Sequence, residues 1–247
     1  MYDAMLAETV MFPAHGGDEI EGYLARPLSP GPFGAVVVIH HMPGYDGATK
    51  EIARNFAVHG YLALMPNLYY REAPGASPDD AAATARAKGG VPDERLVGDV
   101  AGAVRYLKAL SSSNGKVASI GYCSGGRQSF LAACSLQLDA AVDCYGAFVV
   151  RTPPEGAPLK VSPVIDKVSD LSCPLLGLFG NDDQFPSPDE VNELEQVLKA
   201  HGKTYEFHRY DGAGHAFFGV DRPSYRPEAA KDGWQRIFTW FGEYLAS

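Results

Sequence analysis

A chain of 247 residues with 46% hydrophobic and 21% charged residues has the composition of an ordinary globular protein, which excludes a disordered or fibrous chain. A formal net charge of −9 and the absence of any Lys/Arg run argue against a surface for nucleic acid or anionic membrane. That leaves a small molecule as the expected partner. The length suits one α/β domain over residues 1–247. No segment is apolar for long enough to span a bilayer, and the stretch from Met1 to Glu8 lacks the basic start and apolar run of a secretory leader. The cysteines at 123, 134, 144 and 173 have neither paired C-x-x-C spacing nor a disulfide-framework pattern, so no metal is expected and a cytoplasmic location fits.

Residues 8–13 and 19–27 read as a β-hairpin across His15-Gly-Gly-Asp18, placed at the sheet edge. Ala35 to His40 is a short β-branched run, the mark of a strand covered on both faces. A loop from His41 to Gly47 follows, then a helix over about 48–59 with Ile52, Ala53 and Phe56 on one face, and a buried strand at 61–65. Pro66 to Pro92 is a long excursion carrying Tyr69, Tyr70 and Arg71, with a short alanine-rich helix over Asp79–Lys88; such excursions often line binding sites. Asp93 is read as the cap of a helix whose stripe is Leu96, Val100, Val104 and Leu107, and which ends in Ser111-Ser-Ser-Asn-Gly115.

Lys116-Val-Ala-Ser-Ile-Gly-Tyr-Cys-Ser-Gly-Gly-Arg127 is an apolar strand that runs through a glycine-flanked cysteine into a helix. It matches the G-x-S-x-G nucleophile elbow with Cys123 in the serine's place. A thiol at a helix N-terminus is favoured as thiolate by the unpaired N–H groups and the helix dipole. The N–H of Ser124 would face the oxyanion of an acyl transfer. Ser124 is the rival nucleophile, one place past the apex.

Further strands are read at 140–145, 174–179 and 204–210, with a second proline-rich excursion at 146–170. A helix starts at Ser187, where Pro188 and Glu190 complete a capping box, and a last one runs from Pro227 with Trp234, Phe238 and Phe241 on one face. Alternating strands and helices mean a mostly parallel central sheet with helices on both faces. Function in such sheets collects at the carboxyl ends of strands. Cys123, Asp182 or Asp183, and His215 all fall there, in the order nucleophile, acid, histidine, with gaps of 60 residues (183 − 123) and 32 (215 − 183).

Gly121-Tyr-Cys-Ser-Gly-Gly126, Gly180-Asn-Asp-Asp-Gln-Phe-Pro186, Gly212-Ala-Gly-His-Ala-Phe217 and Pro66-Asn-Leu-Tyr-Tyr-Arg-Glu-Ala-Pro74 together resemble the dienelactone hydrolase family of cysteine α/β-hydrolases, nearly end to end. The resemblance implies the α/β-hydrolase fold, a Cys123, His215 and Asp183 triad, and a thioester acyl-enzyme. It also implies ester or lactone hydrolysis of the carboxymethylenebutenolidase kind with no metal or organic cofactor. Met42 joins Ser124 in the expected oxyanion hole. The pattern departs at His41, which stands where the family has a thiol-activating glutamate, and at Gly219, where it has a substrate-binding arginine. His41 is the candidate activator in that glutamate's place, and Tyr70, Arg71, Arg86 and Arg127 are candidates for substrate contact. A general carboxylesterase or thioesterase, or a ligand-binding scaffold without turnover, are the alternative readings.

Overall fold

The computed structural model describes residues 4–246; the first three residues of the stretch read for a leader lie outside them. Eight strands form one sheet: β1 (Met5–Pro13), β2 (Glu19–Pro27), β3 (Phe33–Ile39), β4 (Leu62–Pro66), β5 (Ser113–Tyr122), β6 (Ala140–Cys144), β7 (Leu175–Gly180) and β8 (Tyr205–Tyr210). Their order in the sheet is β1-β2-β4-β3-β5-β6-β7-β8. β1 and β2 pair antiparallel, β2 lies antiparallel to β4, and every later pairing is parallel.

Successive strand side chains alternate between the two faces, so a run of apolar residues feeds two cores at once. In β3, Ala35, Val37 and Ile39 join one core while Val36 and Val38 join the other. The first core is closed by α3 (Asp93–Ala109) and α4 (Ser124–Ser135) through Leu96, Val100 and Phe130, and by α5 (Pro188–Ala200) through Leu194. The second is closed by α1 (Gly47–Val58) through Ala53 and Phe56, and by α6 (Pro227–Leu245) through Ile237 and Phe241. α2 (Pro78–Ala87) lies in the first excursion, capped by the Ser77 hydroxyl on the Asp80 N–H. The capping box of α5 is formed as read, Ser187 to the Glu190 N–H and the Glu190 carboxylate back to the Ser187 N–H.

Three readings are corrected. Of the two hairpin strands only β1 lies at an edge, since β2 pairs on both sides. Ser113, Asn114 and Gly115 belong to β5 and do not finish the preceding helix, because Phe33 pairs with Ser113 and extends the parallel ladder. Asp93 is the first residue of α3, and Pro92 holds the cap position. The Asp93 carboxylate binds Arg127 instead. Among the described residues no helix is long and apolar enough to cross a membrane.

Candidate active site

β5 ends at Tyr122 and α4 begins at Ser124, so the whole reversal from strand to helix falls on Cys123. Its φ of 58° and ψ of −124° lie in a region that costs a non-glycine residue on the order of 1–3 kcal/mol. The flanking glycines make the turn possible. A Cβ on Gly121 would come within 1.9 Å of the Gly125 carbonyl oxygen, and one on Gly125 within 2.4 Å of that of Ile39. The strained apex aims Sγ at the backbone N–H groups of Ser124 and Met42 and at the ring of His215.

His215 follows β8. Its Nδ1–H donates to Asp183 Oδ2 at 2.8 Å, which leaves Nε2 for the thiol. The other Asp183 oxygen accepts the Phe185 N–H at 2.9 Å, and the Asp183 side chain is 3% exposed. Asp182, by contrast, is exposed to solvent. Of the two aspartates open from sequence, the fold therefore brings Asp183 to the histidine. The Tyr145 ring meets the His215 ring edge-on at 5.2 Å, and both Tyr145 and Ala216 sit at positive φ.

Charge follows from this arrangement. Burial pushes the Cys123 thiol up, but the hydrogen bond and charge of His215, with the Ser124 and Met42 amides, outweigh it and the thiol titrates below its ordinary range. Burial acts to lower His215, yet the hydrogen bonds to Asp183 and Cys123 prevail and raise it to about 10. The two shifts have one cause: the imidazole favours the thiolate, and the thiolate favours the imidazolium.

The loop after β3 is braced from below. Buried His40 donates from Nδ1 to the His41 carbonyl at 2.9 Å and accepts the Leu68 N–H on Nε2 at 3.2 Å. Burial lowers its pKa to about 4, so it stays neutral. The Tyr69 hydroxyl donates to the Met42 carbonyl at 3.0 Å. His41, expected at the thiol, turns Nε2 to Asp46 Oδ2 at 2.6 Å. Asp46 carried no signal in the sequence beyond being a possible helix cap five residues on.

The cationic candidates are engaged elsewhere. Arg71 forks onto Asp99 at 2.9 and 3.0 Å and reaches Asp18 and the His15 carbonyl. Arg127 forks onto Asp93, at 2.8 Å to each oxygen, and onto the Ser162 carbonyl at 2.7 Å. Tyr70 packs against the first core, and neither it nor Arg86 lines the cavity at Cys123. That cavity, about 670 Å³, lies between α1, the elbow and the chain after His215. Its wall carries the aromatic rings of Tyr122, Tyr145, Phe218 and Trp234, and its charged members are Glu51, Arg54, Asp221 and Arg222, with His41 beside them. Arg54 is held by Glu51 and the Tyr23 hydroxyl. The Arg222 side chain makes no ion pair among the described residues. Its stem lies over Gly219, where an added Cβ would stand 3.2 Å from Cδ and 3.3 Å from Cγ.

An eight-stranded, mostly parallel sheet with a strand-to-helix elbow at its centre defines an α/β-hydrolase. The profile of the dienelactone hydrolase family matches residues 20–245, and the chain belongs to that family. It is 36% identical over 252 aligned positions, 98% of this chain and 89% of the relative, to an Escherichia coli (strain K12) protein named "Putative carboxymethylenebutenolidase". It is 30% identical, over 93% of this chain and 91% of the relative, to a Bradyrhizobium protein named "Probable 2-oxo-3-(5-oxofuran-2-ylidene)propanoate lactonase". A crystal structure from Klebsiella pneumoniae, described as "Putative Dienelactone Hydrolase", superposes with a TM-score of 0.86 at 32% identity, covering 98% of this chain and all of that one.

Proposed function

We propose that the protein hydrolyses an ester or lactone through a thioester on Cys123, with His215 as proton shuttle and Asp183 as the group that orients and stabilises the imidazolium. The observation that carries the reading is the alignment of three partners on one thiol: the His215 ring, itself fixed by Asp183, and the amides of Ser124 and Met42. The thiolate attacks the carbonyl carbon, and the oxyanion takes up the two amides, each worth on the order of 3 kcal/mol to the transition state. The His215 imidazolium gives its proton to the departing oxygen, and water then cleaves the thioester. A thiolate is itself readily expelled, so enol and phenol esters, whose oxygens leave easily, are the favoured substrates and amides are poor ones.

Both relatives' names denote small unsaturated lactones, and the propanoate of the second is a carboxylate. An aromatic cavity wall with Arg222, free of any ion pair among the described residues, as one of its members supports the same class here: a planar, unsaturated lactone or ester with an anionic end. A panel of anionic and neutral lactones and aryl esters tests the reading. Turnover should vanish on iodoacetamide treatment, and Arg222→Gln should raise KM for the anionic members roughly tenfold, with a smaller change for the neutral ones. Iodoacetamide-resistant turnover would remove the cysteine mechanism, and equal effects on both groups would remove the anion contact.

A further inference from the structure

The cavity at Cys123 is bordered by a second imidazole–carboxylate pair that the triad does not use. His41 Nε2 meets Asp46 Oδ2 at 2.6 Å. The carboxylate is fixed independently, because Asp46 caps α1 and its Oδ1 accepts both the N–H of Thr49 at 2.8 Å and its hydroxyl at 2.9 Å. Burial works against the charge on Asp46, yet the hydrogen bonds from His41 and Thr49 hold it below the usual carboxylate range. An anchored carboxylate that takes Nε2–H leaves Nδ1 as the working nitrogen. Nδ1 has no hydrogen-bond partner among the described residues, and the His41 side chain is 17% exposed and lines the cavity.

Position in the sheet gives this pair a different task from the first. His41 lies on the loop after β3 and His215 on the loop after β8, and those strands lie on opposite sides of β5. His41 also directly precedes Met42, whose N–H faces the thiol. The two imidazoles therefore approach Cys123 from two sides, one bonded to sulfur and one not. We propose that the His41–Asp46 pair is the base for the second half of the reaction, taking the proton from the water that hydrolyses the acyl-cysteine. The proposal rests on the thioester reading above.

In that step the water oxygen bonds to the thioester carbon while its proton passes to His41 Nδ1, and the oxyanion occupies the two amides. The C–S bond then breaks and sulfur leaves as thiolate, and His215, which gave up its proton in the first half, takes one from solvent to re-form the ion pair. The carboxylic acid departs, and His41 returns its proton to solvent. Asp46 is a positioning residue that holds the imidazole and supports its charge.

The two halves separate in rapid-mixing kinetics with p-nitrophenyl acetate. His41→Ala should keep a burst of nitrophenol of one equivalent while the steady-state rate falls on the order of 10²-fold, and added imidazole should restore that slow phase. Asp46→Asn, which keeps an oxygen for the Thr49 cap, should lower the steady state several-fold and the burst rate by less. It carries the test if His41→Ala fails to fold. Burst and steady state falling together, or neither changing, overturns the proposal. A wild-type enzyme that turns over without any acyl-cysteine overturns the thioester reading and this step with it, whereas an acyl-cysteine whose decay ignores His41 overturns this step alone.

Discussion

Cys123 and Cys144 stand at the carboxyl ends of neighbouring strands, joined by a hydrogen bond from the Cys123 N–H to the Cys144 carbonyl at 3.1 Å, yet their thiols are driven in opposite directions. Cys144 is wholly buried, and desolvation together with the nearby Asp143 pushes its thiol well above the ordinary value. Burial pushes Cys123 the same way, but there the thiol is turned by a strained φ of 58° onto two amides and an imidazole, and it falls. Cys134 and Cys173, also buried, rise to about 12. The opposite shifts thus follow the direction in which the elbow points Sγ, onto partners at the cavity that the three buried thiols lack.

The sharpest break of that contrast is substitution at each thiol. Cys123→Ala should abolish turnover with an unchanged circular dichroism spectrum, since a small residue suits the apex. Cys144→Ala should retain activity and lose about 1 kcal/mol of stability in a denaturant titration, the cost of a small buried group. Equal loss of activity in the two would contradict the assignment of the nucleophile.

Next in size is the acid behind the imidazole. Asp183→Asn should lower kcat by roughly 10³- to 10⁴-fold, because the amide cannot support the imidazolium or hold Nδ1–H in place. Asp182→Asn, at an exposed position, should stay within a few-fold. The reverse ranking in steady-state assays would move the acid to Asp182.

The ionisation contrast predicts selective alkylation. Near neutral pH iodoacetamide should modify Cys123 and spare the other three cysteines, as peptide mapping would show. His215→Ala should slow the reaction at Cys123 about tenfold or more, one pKa unit of lost stabilisation being a factor of 10. The sign of the pH dependence follows from the two shifts. The depressed thiol pKa means that reactivity is lost as pH falls through it. The raised histidine pKa means that the stability His215 lends is complete below about 6.5 and is lost as pH rises through about 10. The smallest effect is expected behind the oxyanion loop: Tyr69→Phe removes one hydrogen bond to the Met42 carbonyl and should cost about 1 kcal/mol, or roughly fivefold in kcat.

Much of this was legible in the chain itself. β3 and β7 announce themselves because strands buried on both faces need uninterrupted apolar runs, and the elbow is legible because Gly121 and Gly125 are demanded by backbone contacts under 2.5 Å. The cap of α5 is read from three adjacent residues, since its hydrogen bonds are local. What sequence reading missed is set by partners far apart in the chain. Arg71 and Arg127 look like free cations until Asp99, 28 positions away, and Asp93, 34 away, fold against them. Asp93 misled as a cap for the same reason, its carboxylate being drawn to Arg127. Arg222 and Trp234 reach the cavity only because the chain after His215 folds back over it. The Asp46 partner of His41 is local, but its cap role hides it.

The covalent role of Cys123 is tested most directly by trapping. The enzyme is mixed with p-nitrophenyl acetate, quenched in acid within the first turnover, digested, and the acetylated peptide is identified by mass spectrometry. The account predicts one acetyl group, on Cys123, that is released by neutral hydroxylamine as a thioester is. Acetyl on Ser124, or turnover with the Cys123 thiol still free and alkylatable throughout, would contradict it.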